Sequence, residues 1–134
     1  MKNNLMLGKA GELRVASELL LKGFGLYLAT VDSGVDIILE NGKRIQVKSA
    51  RRTIKKNFNS YTFSFKSWKS RIGHHIAHPL DDVDFLILWA VNDDCFFIIP
   101  VQEIRGKYSV QLGLTGREWS HYVKYKNNWD SLLG

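Results

Sequence analysis

The segment SGVDIILENGKRIQVK, residues 33–48, has an alternating apolar pattern on each side of Asn41-Gly42, which is typical of a β-hairpin. A two-residue loop at Asn41-Gly42 would place Asp36 opposite Val47 and mix polar with apolar side chains on both faces. A three-residue loop, Glu40-Asn41-Gly42, with glycine in the left-handed position and a G1 bulge, aligns the apolar side chains instead. The pairs in this register are Ile37 with Ile45 and Val35 with Val47. The sequence therefore predicts the three-residue loop.

The same register groups three polar side chains on one face of the hairpin. It sets Asp36 across from Gln46, and Lys48 follows two residues later on the same strand and therefore on the same face. An acid, an amide and an ammonium would then lie close together. Alternating polar residues on any half-exposed hairpin look the same, so this pattern alone does not separate a catalytic site from a solvated face.

An amphipathic helix is predicted upstream, from Leu5 to Lys22, with Gly23 as its C-terminal stop. Glu12 falls at the border of its apolar stripe, roughly 80° from the centre. Glu18 lies four residues from a cation on each side and is predicted to form solvated ion pairs with them. The stripe itself follows helical spacing: Met6, Ala10, Leu13, Ala16 and Leu20.

The rest of the chain alternates short β-like segments with turns. Asp84–Val91 is nearly continuous in apolar residues, which is typical of a strand covered on both faces, and a turn at Asn92–Asp94 predicts a hairpin with the next strand. Gly106–Gly116 is poorly periodic, and His121–Tyr125 is predicted to be a late strand. The other predicted elements are strands at Leu26–Thr30, Val35–Leu39, Arg44–Ala50, Ser60–Phe65 and Cys95–Ile99, a short helix at Val101–Ile104 and a helical turn at Trp129–Leu133. Together they predict an α/β or α+β domain with a mixed β-sheet.

Length and cysteine content narrow the class of protein. The 134 residues suit a single domain over residues 1–134 with one ordinary core. The single cysteine, Cys95, excludes an intrachain disulfide and a four-cysteine zinc site. We find no apolar run of about eighteen residues and no export signal. These features predict a cytoplasmic, intracellular protein that does not bind a membrane.

The positive charge is concentrated in one part of the chain. The 19 Lys and Arg against 13 Asp and Glu give +6 overall, yet residues 41–80 hold ten cations and no carboxylate. Aromatic residues interleave this block, which favours a folded surface over a disordered tail. Such a surface is suited to a polyanion, most simply nucleic acid. The ten cations are Lys43, Arg44, Lys48, Arg51, Arg52, Lys55, Lys56, Lys66, Lys69 and Arg71.

Glu12 in the helix, Ser33-Gly34-Val35-Asp36 opening one strand and Gln46-Val47-Lys48 in the next resemble the PD-(D/E)XK nuclease superfamily in type and order. Within it, the chain is similar to small archaeal Holliday junction resolvases, which share the S-G-x-D-like segment. It is also similar to an intron-encoded homing endonuclease group with glutamine in the acid-x-lysine motif. The resemblance implies a restriction-endonuclease-like core, with a central mixed sheet flanked by helices, and a metal-dependent DNA endonuclease. The implied catalytic residues are Glu12, Asp36, Gln46 and Lys48.

The resemblance also implies a metal site, at which Asp36, Glu12 and Gln46 would hold Mg²⁺, with Mn²⁺ as a substitute. Most of the superfamily has a carboxylate where this chain has Gln46. A glutamine carbonyl can coordinate Mg²⁺ but contributes no charge, so we expect a lower metal affinity. Lys48 would offset charge that develops at the phosphate in the transition state.

DNA-backbone contacts are expected mainly from the cations around and after Lys48. One domain has one site, so cleavage of two strands implies a homodimer or a homotetramer. His74, His75 and His78 are interpreted as a loop near phosphate, since their neighbourhood offers no evident further zinc ligand. The expected DNA-binding residues are Ser33, Arg44, Arg51, Arg52, Lys55 and Lys56.

Three alternatives stay open at this stage. The chain could be a non-catalytic nucleic-acid-binding module with a decayed nuclease site, for which Gln46 is the main argument. The basic and aromatic block equally permits an RNA-directed nuclease or binder. If the chain is a DNA nuclease, its activity could be either resolution of DNA junctions or site-specific cleavage of a duplex.

Overall fold

The computed structural model describes residues 2–30, 34–55, 58–65, 82–113 and 121–134. Within these ranges the chain forms one long helix, eight strands and several short 3-10 turns. The helix is α1 (Lys2–Leu21), and the strands are β1 (Leu26–Leu28), β2 (Ile37–Leu39), β3 (Arg44–Ala50), β4 (Thr53–Lys55), β5 (Phe58–Ser64), β6 (Phe85–Ala90), β7 (Cys95–Pro100) and β8 (Ser109–Gly113).

The strands form two sheets. A five-stranded sheet has the order β1-β2-β3-β6-β7, in which β3 and β6 are parallel and the other neighbours are antiparallel. An antiparallel three-stranded sheet has the order β4-β5-β8. The predicted mixed sheet and the predicted hairpin of β6 with β7 are both confirmed.

The β2–β3 hairpin adopts the predicted register. Ile37 pairs with Ile45, and the turn over residues 40–42 is closed by a hydrogen bond from the Gly42 nitrogen to the Leu39 oxygen at 2.8 Å. Gly42 has a φ of +91°, the left-handed conformation that the G1 bulge requires. The described backbone pairing of β2 ends at Ile37, so the predicted pair of Val35 with Val47 is not formed.

The buried face of α1 differs from the predicted stripe. Leu13 is 52% exposed, and Met6 and Leu20 are exposed as well, whereas Val15 and Leu19 are fully buried. The helix turns this other face to the sheet because it carries a glycine, Gly11. A Cβ at Gly11 would lie 1.8 Å from the Ser49 side-chain oxygen and 3.1 Å from its Cβ, so glycine lets the helix backbone approach β3 with Ser49 in its present position. Of the predicted stripe, Ala16 is buried as expected and the other four residues are exposed.

Gly23 ends the helix as predicted. Its φ is +92°, and the nitrogens of Gly23 and Phe24 donate to the oxygens of Leu20 and Leu19 at 3.0 and 2.9 Å. Glu18 forms the two predicted ion pairs, with Arg14 at 2.9 Å and with Lys22 at 3.9 Å.

Apolar layers cover both faces of the five-stranded sheet. In β6, Leu86 and Leu88 contribute to one layer and Ile87 to the other, which confirms that this strand is covered on both faces. In the described part of the chain, α1 covers one of these layers and the three-stranded sheet covers the other. The resemblance implied flanking helices, and in the described ranges a sheet takes the place of a helix on the second face. The α1 layer includes Val15, Leu19, Ile37, Ile45, Val47 and Ile98, and the opposite layer includes Tyr61, Phe63, Phe97, Val110 and Leu112.

Three other segments depart from the predictions. Strand β8 lies in the segment Gly106–Gly116, for which no element was predicted. Its alternating pattern consists of only two apolar residues, Val110 and Leu112, which are both buried. Strand β4 was not predicted. The predicted late strand at His121–Tyr125 is wrong, since the backbone is helical there and closes a 3-10 turn. Tyr122 and Tyr125 are both buried, and a spacing of three suits a helical turn rather than a strand.

None of the helices in the described ranges is long and apolar enough to cross a membrane. Cys95 is a free, buried thiol, and its burial raises the pKa of the thiol. A buried thiol with a raised pKa is unreactive.

Candidate functional site

Asp36 directly precedes β2, beyond the last backbone pair of β2 with β3, and hydrogen bonds still connect Asp36 to β3. Its backbone nitrogen donates to the Ile45 oxygen at 2.8 Å, and its oxygen accepts from the Ala29 nitrogen at 3.0 Å. Its carboxylate accepts a hydrogen bond from the Val47 nitrogen at 2.7 Å. The side chain thus takes the Val47 N–H that a continued backbone ladder would have used. This places the carboxylate at the edge of β3, in the gap that β2 leaves.

Glu12 approaches this gap from α1. The helix packs closely against β3 where Gly11 contacts Ser49, and Glu12 is the next residue along the helix. The Glu12 side chain is only 22% exposed, and it accepts from the Lys9 ammonium at 3.4 Å. Glu12 is also near enough for its negative charge to act on Asp36.

The surroundings of Asp36 raise the pKa of its carboxyl group from 3.8 to about 6. Burial is the largest cause, and the negative charge of Glu12 adds to it. The Val47 N–H and the positive charges of Lys48 and Lys9 act in the opposite direction. The charges of Glu12, Lys48 and Lys9 therefore all act on the Asp36 carboxyl group. A carboxyl group with a pKa near neutrality beside a second carboxylate is suited to bind a cation.

Gln46 and Lys48 are both half-buried in β3. Because they are two residues apart in a strand, they face the same side of the sheet, opposite to Ile45 and Val47. The charge of Lys48 reaches Asp36. The structure therefore brings Glu12, Asp36 and Lys48 into one electrostatic cluster, and it places Gln46 on the same face as Lys48.

The oxygen donors in this gap fit a hard divalent cation. No group of three or more His, Cys, Asp or Glu side chains that could hold a metal occurs in the part of the chain that the structure describes. Asp36 and Glu12 offer two carboxylates at this gap, and Gln46, next to Val47 in β3, carries a neutral amide oxygen. Carboxylate and carbonyl oxygens are the ligands that Mg²⁺ and Mn²⁺ accept, although two charges hold a dication less tightly than three.

Two of the predicted DNA-binding arginines are engaged within the protein. The Arg44 side chain pairs with Asp84 at 3.5 Å and with Asp82 at 3.8 Å, and the Asp84 carboxylate also accepts from the Arg44 backbone nitrogen at 2.8 Å. The Arg52 guanidinium donates to Asp93 at 2.9 Å. Arg51 is exposed directly after β3. Of the remaining predicted residues, Lys55 is described only by its backbone in β4, and Ser33, Lys56, His74, His75 and His78 lie outside the described residues.

The turn between β6 and β7 is hydrogen-bonded to the segment that follows β3. Its Asn92 side chain accepts from the Arg52 backbone nitrogen at 2.7 Å. The Tyr61 hydroxyl donates to the Asp93 carboxylate and accepts from the Asp93 backbone nitrogen at 3.0 Å. Burial and the bond to Asp93 raise the pKa of Tyr61 to about 12. In the same turn, Asp94 accepts from the Trp89 indole nitrogen at 2.7 Å.

Sequence reasoning missed this turn cluster, since Asn92, Asp93 and Asp94 were read only as a turn. It also missed Lys9 beside Glu12. The available signal for Lys9 was its spacing, because residues three apart on a helix are neighbours.

The family model described as PD-(D/E)XK endonuclease matches residues 2–132 of the chain. Among solved structures, the fold is similar to one titled "The structure of a bacterial homing endonuclease: I-Ssp6803I", with a TM-score of 0.70 and 18% sequence identity, over 97% of this chain and 92% of that chain. No curated protein matches the chain in a sequence comparison. The structural likeness confirms the predicted fold class.

Proposed function

The chain belongs to the PD-(D/E)XK endonuclease family, and on that premise we propose that it is a divalent-metal-dependent DNA endonuclease with its active site at Glu12, Asp36, Gln46 and Lys48. The observation that carries the proposal is the position of the Asp36 carboxylate. It is held by the Val47 N–H at the edge of β3 and lies within electrostatic reach of both Glu12 and Lys48. We further propose that this unit is a single domain over residues 1–134.

Asp36 and Glu12 would hold the metal through their carboxylates, with Gln46 as a neutral ligand. The N–H and C=O of one strand residue point to the same side, so the Val47 carbonyl also faces the gap and is a further oxygen donor. A bound Mg²⁺ or Mn²⁺ would act as a Lewis acid on the scissile phosphate and lower the pKa of a water molecule.

Lys48 would act on the phosphate itself. Its backbone in β3 is fixed by pairing with Leu88 of β6, and its positive charge reaches Asp36 at the gap. A positive charge placed there stabilises the additional negative charge that phosphorus oxygens carry in the transition state. It also orients the attacking water by hydrogen bonding.

DNA is the proposed substrate because the cationic block begins at the same strand. Arg51 is exposed directly after β3, and the block from residue 41 to 80 contains no carboxylate to oppose a phosphate backbone. The similar solved structure is titled a homing endonuclease, which favours site-specific cleavage of duplex DNA over junction resolution for this chain too. The engagement of Arg44 and Arg52 by carboxylates gives these two residues a structural role alongside any contact with DNA.

We propose that the active form is a homodimer, or a homotetramer built from it. A single domain carries one site, and the two strands of a duplex run in opposite directions. Two sites related by a two-fold axis would meet them in equivalent ways. Light scattering after gel filtration measures the mass directly, and a monomer at assay concentration that still cuts both strands would contradict this proposal.

The deciding experiment incubates the wild-type protein and Lys48→Ala with Mg²⁺ or Mn²⁺ on duplex, single-stranded and four-way DNA. We expect the wild type to cleave and Lys48→Ala to lose at least about a hundredfold in rate, as is usual for a group that stabilises transition-state charge. Cleavage of four-way DNA regardless of sequence would favour resolution, and cleavage of one long duplex target would favour the homing type. Equal cleavage by both proteins would contradict the assigned site.

Gln46 favours one alternative, a nucleic-acid-binding module whose nuclease site has decayed. Under that alternative, neither protein cleaves any substrate, while both bind DNA tightly and with a steep salt dependence. An RNA arm in the same assay tests whether the basic block prefers RNA.

A further inference from the structure

Lys9 occupies a position beside the candidate site. It lies on α1, three residues before Glu12, and its ammonium is 3.4 Å from the Glu12 carboxylate. Its side chain is 67% exposed, whereas that of Glu12 is 22% exposed. The charge of Lys9 also reaches Asp36. Lys9 and Lys48 therefore both act on Asp36, from two different elements, α1 and β3, and Lys9 also contacts Glu12.

The contact of Lys9 with Glu12 is weak and easily exchanged. Ion pairs between side chains as exposed as Lys9 contribute little, because water screens them and the long side chain loses entropy when it is held. A divalent cation that coordinates Glu12 would compete with the Lys9 ammonium for the same oxygen. The ammonium would then move away from Glu12 and become available to a phosphate group bound at the gap.

We propose that Lys9 is a substrate-binding residue that neutralises Glu12 in the metal-free protein and contacts a DNA phosphate once the metal ion has taken its place. Lys48 would approach the phosphate from the sheet and Lys9 from the helix. This inference rests on the proposed function, and it predicts that removal of one charge changes metal binding and DNA binding in opposite directions.

The first test measures Mn²⁺ binding by calorimetry, without DNA, for the wild type, Lys9→Gln and Lys22→Gln. Lys22 is the control, since this exposed lysine directly follows α1, pairs with a different glutamate, Glu18, and lies about 20 Å along the helix axis from Lys9. Loss of the competing ammonium should make Lys9→Gln bind Mn²⁺ about two- to fivefold more tightly than the control. Lys9→Gln should unfold at the temperature of the wild type, and Lys22→Gln slightly below it, because Lys22 also contacts the Trp129 ring at 5.4 Å.

The second test measures duplex binding in Mn²⁺ at several salt concentrations. All proteins also carry Lys48→Ala, so that the DNA is not cut. One lost phosphate contact lowers the slope of log K against log salt by about 0.9. We expect this decrease for Lys9→Gln and a smaller one, or none, for Lys22→Gln.

A slope for Lys9→Gln equal to that of Lys22→Gln would overturn the proposal whatever the metal result, because Lys9 would then only screen Glu12. Equal Mn²⁺ affinities for the two variants would overturn it as well, since no competition for Glu12 would exist. Failure of the proposed function looks different, because the wild type itself would then bind no Mn²⁺ and cleave no DNA.

Discussion

The Asp36 carboxylate accepts a 2.7 Å hydrogen bond from the Val47 backbone nitrogen, and this bond holds the two strands of the hairpin together where their backbone pairing has ended. It fixes an acidic side chain at the edge of β3 between α1 and the strand that carries Lys48. The same position partly removes the carboxylate from water, so the arrangement that suits a cation also destabilises the metal-free protein.

Replacement of Asp36 by asparagine should stabilise the metal-free protein at pH 7. The folded-state pKa of about 6 exceeds the reference value of 3.8, so the folded protein binds the proton more tightly than the unfolded chain does. This contribution is fully present below pH 3.8 and is lost as the pH rises through 6. After allowance for solvent screening, the ionised carboxylate costs about 1–2 kcal/mol at pH 7. The amide oxygen of the substituted side chain can still accept from the Val47 N–H.

The measurement is urea unfolding of the wild type and Asp36→Asn at pH 4.5 and pH 7, without divalent ions. We expect the variant to gain in relative stability between the two pH values and to lose cleavage activity. A stability difference between the proteins that does not change with pH would contradict the raised pKa.

Binding of Mn²⁺ should weaken at acid pH for the same reason. A carboxyl group must lose its proton to coordinate a metal, and Asp36 with a pKa of about 6 is mostly protonated at pH 5 and mostly ionised at pH 7. The fraction ionised falls about tenfold between these values, so the affinity should fall by a similar factor. Calorimetry at both pH values measures it, and an affinity unchanged at pH 5 would show that Asp36 is not a ligand.

Conversion of Gln46 to glutamate should restore the charge that most of the superfamily has at this position. A third carboxylate near Asp36 and Glu12 should raise Mn²⁺ affinity, by about tenfold or more, because ligand charge is the main determinant of affinity for hard cations. It should also destabilise the metal-free protein through like-charge repulsion. Gln46→Ala is the control, and equal Mn²⁺ affinities for the two variants would place residue 46 outside the metal site.

Removal of the Tyr61 hydroxyl should loosen the turn that holds the end of β3. Tyr61→Phe loses the bond to the charged Asp93 carboxylate and the bond from the Asp93 nitrogen, although that exposed carboxylate keeps its pair with Arg52. The expected loss is about 1–3 kcal/mol in the free energy of unfolding. Tyr27→Phe is the matched control, because the Tyr27 side chain is 66% exposed and should tolerate the change within about 0.5 kcal/mol.

Alternation in the hairpin predicted its register correctly because one face is buried, and a shift by one residue would have exposed every apolar side chain. The carboxylate bond to Val47 was not predictable, since the pattern does not show where a ladder ends. The tyrosine pair Tyr122 and Tyr125 was read with the wrong period in a segment too short to distinguish two periods. The predicted apolar stripe of α1 was largely wrong for another reason. A hydrophobicity pattern takes no account of the close packing on β3 that Gly11 permits.

That glycine gives the sharpest test of how the fold positions Glu12. In Gly11→Ala the new Cβ would lie 1.8 Å from the Ser49 side-chain oxygen, 3.1 Å from its Cβ and 3.4 Å from the Trp89 ring. The Ser49 hydroxyl must rotate away and the helix must shift by a few tenths of an ångström from the Ser49 Cβ, at a cost of about 1–3 kcal/mol that the better helix propensity of alanine offsets by at most about 1 kcal/mol.

Gly8→Ala separates packing from propensity on the same helix. No atom lies within 4 Å of a Cβ at Gly8, so the substitution should stabilise the protein by about 0.5–1 kcal/mol. Because Glu12 is adjacent to Gly11, the displaced helix in Gly11→Ala should also weaken Mn²⁺ binding, which Gly8→Ala should leave unchanged. Equal effects of the two alanines on stability and on Mn²⁺ binding would show that the close approach of α1 to β3 does not position Glu12.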